Sequence, residues 1–231
     1  MSSEIAVKYM VGDEEIKLTP KIVCEYLTGG AQITMPEFKM FTSLCKARGL
    51  NPFLKEAYII KFGNLPAQIV VGKDAILKRA ILNPDFDGRE QGVIVVDKDN
   101  EIVEKNGTFV LDNETLVGGW AKVYRKNWRF PVYVTVSFAE SSQKKKDGSL
   151  NKQWATKGAT MIEKVALVRA LREAFVEDAG GMYDADEMEV QSPSSTDPEK
   201  EIIIEQEEPV IENVELMPAG EDSKIIDIND L

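Results

Sequence analysis

Residues 92–138 read GVIVVDKDNEIVEKNGTFVLDNETLVGGWAKVYRKNWRFPVYVTVSF. β-Prone runs alternate here with turn-forming residues at positions 97–100, at Asn106-Gly107 and at Asp112-Asn113. Short strands punctuated in that way spell an antiparallel meander in one sheet. Upstream the hydrophobic period lengthens. Thr19-Pro20 reads as an N-cap with proline at the first helical position, and Ile22, Val23, Tyr26 and Leu27 keep helical spacing up to Gly29-Gly30. Residues 34–37 match a capping box, Phe38, Phe41, Leu44 and Cys45 form one apolar face, and Gly49 supplies the stop before Asn51-Pro52.

Residues 57–61 and 68–71 read as a hairpin around Gly63-Asn64, followed by a helix over 73–82 that Asn83-Pro84 closes. Residues 141–151, with Lys144, Lys145 and Lys146 before Asp147-Gly148, are too polar for a core and read as a loop. A strong helix over 156–175 then ends before the Gly180-Gly181 break. The expected class is α+β: a small antiparallel sheet, meander and hairpin, flanked by helices. Residues 1–185 form the expected domain. Residues 186–231 lack periodicity and read as a disordered acidic tail.

Charge divides the chain in the same place. The whole carries −11, and residues 186–231 hold 15 acids against Lys200 and Lys224, a net −13, so residues 1–185 carry +2. Within them, residues 122–172 hold 12 Lys or Arg against Glu140, Asp147 and Glu163. A basic segment beside an acidic tail points to a polyanionic partner for the domain. The tail's islands, Ile202-Ile203-Ile204 and Ile225-Ile226 with Ile228, are segments of the kind that order on docking, alongside the plainer reading of a solubilising tail.

Several chemistries lack their parts. No histidine is present, so no His base, ligand or triad can be assembled. Cys24 and Cys45 stand alone among apolar neighbours and read as reduced core thiols, which suits a cytoplasmic protein without a signal sequence or membrane span. Gly72-Lys73 is followed by Asp74, with Ala67 where a phosphate-binding loop needs its first glycine. A carboxylate nuclease motif starting at Pro84-Asp85 finds its acid-x-Lys triplet only at Asp222-Ser223-Lys224, far away in the tail. The acids of residues 97–101 fit a hairpin turn better than a calcium loop, since Ile102 stands where that loop needs glycine. No cofactor or metal is expected, and a non-enzymatic role is favoured over a nuclease.

Steps of three and four join Met161, Lys164, Val168, Leu171 and Phe175, so a lysine interrupts an otherwise apolar helical stripe, with Arg172 one turn beyond Val168. The plain reading is that Lys164 and Arg172 snorkel or pair with a carboxylate such as Glu163 or Glu173. They are not alone, however. Lys157 lies one heptad before Lys164, Arg125, Lys126 and Arg129 lie on the nearby β segment, and Trp128 and Trp154 are interleaved with them. Cations along a phosphate track with aromatic stacking platforms are what sequence-independent single-strand binding needs. Trp154, in a polar stretch, is the best stacking candidate. Trp120, Phe38, Phe41 and Phe175 read as core, and Lys144–Lys146 as a solvated loop or a secondary phosphate contact.

Taken in order, Cys45-Lys46-Ala47-Arg48-Gly49-Leu50-Asn51-Pro52-Phe53, Glu56-Ala57-Tyr58-Ile59-Ile60-Lys61 and Pro66-Ala67-Gln68-Ile69-Val70-Val71 resemble the RecT/Bet family of phage single-strand annealing proteins. Gly118-Gly119-Trp120-Ala121, the helix carrying Trp154, Met161, Lys164, Leu171, Arg172 and Phe175, and Gly181-Met182-Tyr183 extend the likeness over residues 19–187. The family pattern has proline where Gly158 and Val176 stand here. The resemblance implies an ATP-independent recombinase that coats single-stranded DNA as a ring or helical filament and pairs it with its complement. It also implies two partners, an exonuclease and the host single-strand-binding protein. It carries Lys164 and Arg172 over as backbone contacts, and Lys61 and Lys73 less closely. A passive binder that protects single strands without pairing them is the alternative.

Overall fold

The computed structural model describes residues 5–63 and 65–185; the acidic stretch 186–231, with its isoleucine islands and expected disorder, lies outside the described residues. The chain opens on a hairpin of β1 (Val7–Val11) and β2 (Glu14–Leu18) turned at Gly12, whose φ of 59° favours glycine. Tyr9 and Ile16 face each other across it and are both buried, and the Tyr9 hydroxyl donates to the Leu50 carbonyl at 2.8 Å. This hairpin is absent from the sequence expectation. Its polar outer positions, Lys8, Glu15 and Lys17, and its short strands mask the alternation.

Thr19 caps α1 (Pro20–Ile22), which runs on into a π-helical turn, Val23–Leu27. The capping box then starts α2 (Met35–Arg48): the Glu37 carboxylate accepts from the Thr34 N–H at 2.7 Å, and Gly49 ends the helix in the left-handed region. Phe38, Phe41 and Cys45 put its apolar face into the core. Burial pushes the Cys45 thiol up to about 12, so it stays protonated among apolar neighbours. β3 (Ala57–Ile60) and β4 (Gln68–Val71) form the expected hairpin, Ala57 opposite Val71, and α3 (Lys73–Leu82) follows.

The main sheet contains β5 (Phe86–Val96), β6 (Ile102–Asn106), β7 (Thr115–Arg125) and β8 (Val132–Ser137), all antiparallel. Its order, β6-β5-β7-β8, departs from a plain meander: β7 pairs with β5 rather than with β6. Strands lie about 4.8 Å apart, so residues 107–114 easily span the two spacings needed to step over β5. Two turn signals close together therefore mark one crossing link, not two hairpins. At the β5–β6 turn the Asp97 carboxylate accepts from the backbone N–H of Asp99 and Glu101, both at 2.9 Å, as a hairpin turn requires.

After the single turn of α4 (Phe138–Ser141), α5 (Lys152–Ala174) crosses the sheet over β7, β8 and β5, and the short α6 (Val176–Ala179) follows. α5 starts earlier than residue 156 because Asn151 caps it, accepting from the Trp154 N–H at 2.9 Å. Lys157, at φ −130° and ψ 31°, kinks it. That is a non-helical conformation at the residue before the position where the family pattern has proline, and proline would favour the same departure. The core joins Val93, Val95, Ala121, Val123 and Val136 of the sheet to Ile162, Val165, Ala166 and Val168 of α5. Contact is closest at Gly119, where a Cβ would lie 2.6 Å from the Ile162 carbonyl oxygen. The fold is α+β, and no described helix is long and apolar enough to cross a membrane.

Candidate nucleic-acid interface

α5 carries two of the expected cations toward one segment of chain. The Lys164 Nζ lies 2.9 Å from the Asp184 carboxylate, with the two side chains 22% and 7% exposed. The Arg172 guanidinium stacks on the Tyr183 ring, 4.6 Å from its centroid. Residues 182–185 thus lie along α5 as a strap. Met182 anchors it in the core, the Tyr183 carbonyl accepts from the Val71 N–H at 2.8 Å, and the Ala185 carbonyl accepts from the Gln143 amide at 3.2 Å. Tyr58 on β3 stands close enough to feel this acid: burial first, then the charges of Asp184 and Asp74, raise its pKa.

Lys73, the first residue of α3, joins the same region through Glu163, the neighbour of Lys164 on α5. Its Nζ is 3.6 Å from a Glu163 carboxylate oxygen, and the Gln91 amide donates to the other. Glu163 is buried, so Lys73 and Gln91 together compensate a carboxylate removed from water. Lys73, Lys164 and Arg172 therefore converge from α3 and α5. Each is held by an acidic or aromatic partner that sequence spacing does not reveal.

Lys61 is differently employed. Its Nζ donates to both oxygens of Glu37, at 2.9 and 2.7 Å, and Glu37 also accepts from the Ala67 N–H at 2.8 Å. One carboxylate thus ties the start of α2 to both ends of the β3–β4 link. Burial works against its charge, but the Lys61, Thr34 and Ala67 hydrogen bonds prevail and hold it down at about 2. Glu37→Gln is expected to lower the unfolding free energy by about 2 kcal/mol in a urea titration, the scale of a charged hydrogen-bond set. Because the folded pKa lies below the ordinary 4.5, this stabilisation is complete above that value and is lost as pH falls from 4.5 toward about 2. The variant should lack that part of the acid dependence.

Arg125, Lys126 and Arg129 gather at the β7–β8 turn. Arg125 is clamped between Asp85 at 3.1 Å, Glu177 at 2.8 Å and the Ala174 carbonyl at 2.7 Å, and its guanidinium lies over the Phe175 ring. Burial opposes its charge, but Asp85 and Glu177 outweigh that and raise its pKa further. The Lys126 ammonium donates to the Pro84 carbonyl at 2.6 Å, and Arg129 lies over Phe130. Lys157 is exposed at the kink, seven residues before Lys164, and Lys144–Lys146 are exposed in a tight turn closed by Asp147 and Ser149. Trp154 is not a surface platform: it is 1% exposed and sits edge-on to Phe138, ring centroids 5.6 Å apart. The N-cap at Asn151 turns the polar-looking stretch into a helix whose first turn delivers the indole inward.

The domain thus sets a sheet-spanning helix with Lys164 and Arg172 beside Lys73 of α3, and gathers Arg125, Lys126 and Arg129 at the β7–β8 turn. The model of the RecT family matches residues 15–204. The chain belongs to that family, whose members are single-strand annealing proteins of DNA recombination that work without ATP. It is also 30% identical over 185 residues, covering 77% of this chain and 72% of the other, to the "Uncharacterized protein UU154" of Ureaplasma parvum serovar 3.

Proposed function

We propose that residues 1–185 grip the sugar–phosphate chain of single-stranded DNA at Lys164, Arg172 and Lys73, with Lys157 and the β7–β8 cations extending the track. The bases then stay free for a complementary strand. The observation that carries this reading is the convergence of Lys73 and Lys164 on the adjacent acids of one strap and one helix, in a chain of the RecT family. In the DNA-free chain Asp184 occupies the ammonium of Lys164, so a phosphate must replace a carboxylate there. That exchange keeps the lysine paired, while the displaced Asp184 carboxylate, 7% exposed in the DNA-free chain, must turn out to water as the phosphate enters. Neutralised backbones no longer repel each other, and base-pair stacking of about 1.4 kcal/mol per step drives annealing without nucleotide hydrolysis.

The reading extends to copies assembled along one strand as a ring or filament, in the cytoplasm. An exonuclease supplies the single strand, and the chain interacts with the host single-strand-binding protein. Residues 186–231, at −13, are the proposed docking segment for such partners. Mixing two labelled complementary oligonucleotides without ATP tests the core of the proposal. Pairing faster than the protein-free control is the expected result. Slower pairing would leave only a protective binder, and loss of strand length would make the chain a nuclease.

A further inference from the structure

The turn that joins β7 to β8, residues 126–131, is built unlike an ordinary exposed loop. Four hydrogen bonds latch its base to Pro84 and Asp85. The Lys126 N–H donates to the Asp85 carbonyl at 2.9 Å and its Nζ to the Pro84 carbonyl, while Arg125 and Asn127 each donate to one Asp85 carboxylate oxygen, at 3.1 and 3.3 Å. The Trp128 N–H closes the turn onto the Arg125 carbonyl at 3.1 Å. Above this base the Trp128 ring rests on the Arg125 guanidinium, 5.1 Å from its centroid, and that guanidinium is itself fixed by Asp85, Glu177 and Phe175. The indole is therefore held from below by an immobilised cation, yet Trp128 is 49% exposed and Phe130 70%.

An aromatic ring held rigidly in water has lost the entropy that binding would otherwise remove, which favours a ligand with a flat apolar face. Charge narrows the ligand. Residues 125–131 contain Arg125, Lys126 and Arg129 and no acid, and among the described residues neither Lys126 nor Arg129 forms an ion pair. A flat ring attached to a polyanion satisfies both features. We infer that the Trp128 indole is a stacking platform for a nucleobase of single-stranded DNA, with Lys126 and Arg129 taking the flanking phosphates. This rests on the single-strand DNA reading above and adds a base contact to its backbone contacts. Every base has a π-face, so such stacking leaves binding independent of sequence.

The three tryptophans make the test direct, because Trp120 and Trp154 are 3% and 1% exposed. The full chain is excited at the indole edge and titrated with an oligothymidylate, then with an abasic oligonucleotide of equal length, while anisotropy of a labelled strand reports binding separately. The expected result is quenching by the oligothymidylate, little by the abasic strand, and none in Trp128→Phe, which still binds within about threefold because phenylalanine also stacks. Trp128→Ala should lose about tenfold or more in affinity, with its far-UV dichroism unchanged. Binding that survives Trp128→Ala intact, or quenching that persists in Trp128→Phe, overturns the inference and leaves the backbone reading standing. A change in light-scattering mass in Trp128→Ala with unaltered DNA affinity would overturn it too, making the turn a contact between copies. No binding by the unaltered chain would remove the DNA reading itself.

Discussion

Lys164→Ala with Asp184→Asn, combined with Arg172→Ala, weakens binding to single strands of every sequence by about ten- to a hundredfold per lost contact, the scale of a charged hydrogen bond. The slope of log affinity against log salt falls at the same time, by about 0.7 for each phosphate contact removed. Pairing the two substitutions matters. Lys164→Ala alone leaves Asp184, 7% exposed, without its cation, and the destabilisation would be mistaken for a DNA effect. Asp184→Asn alone has the opposite sign: it takes away the carboxylate that competes with phosphate and should tighten binding. Anisotropy titrations at several salt concentrations measure all of these. Unaltered affinity and slope in the folded triple variant would place the backbone contacts elsewhere.

Trp154→Ala lowers the unfolding free energy by about 3–5 kcal/mol, the cost of emptying a large aromatic site that cannot collapse. The indole is enclosed, edge-on to Phe138, and Gly158 one turn along α5 lies so close to that phenylalanine that a Cβ there would stand 2.9 Å from its ring. Neighbours this tight have little freedom to fill the gap. Trp154→Phe should cost much less, since it keeps a ring and removes a buried N–H that has no hydrogen-bond partner in the described structure. Chemical denaturation of both variants reads the difference. A base-stacking role would give the reverse: DNA affinity lost with stability intact.

That contrast shows where sequence stops being informative. The capping box at Thr34 and Glu37, the Gly49 stop and the β3–β4 hairpin are written in residues a few positions apart, and local chemistry suffices to read them. Trp154 is misjudged because a polar neighbourhood in sequence says little once Asn151 has started a helix and turned one face inward. The strand order is equally hidden, since β5 pairs with β7 directly while β6, which lies between them in sequence, takes the far edge. The acids that meet the cations come from far away: Asp184 for Lys164, Asp85 and Glu177 for Arg125, Glu37 for Lys61. A basic stretch announces positive charge. Only folding decides which of its members are bound to something already.

At Gly119 the carbonyl of Ile162 rests almost directly on β7, two residues before Lys164. No compressible side chain lies between, so the elevation of α5 over the sheet is dictated by main-chain atoms, as rigid as the strands themselves. Lys164 accordingly inherits a fixed datum. In the proposed assembly, successive protein molecules along one polynucleotide would each offer that ammonium at the same height, and a repeating track would stay in phase with a repeating polymer.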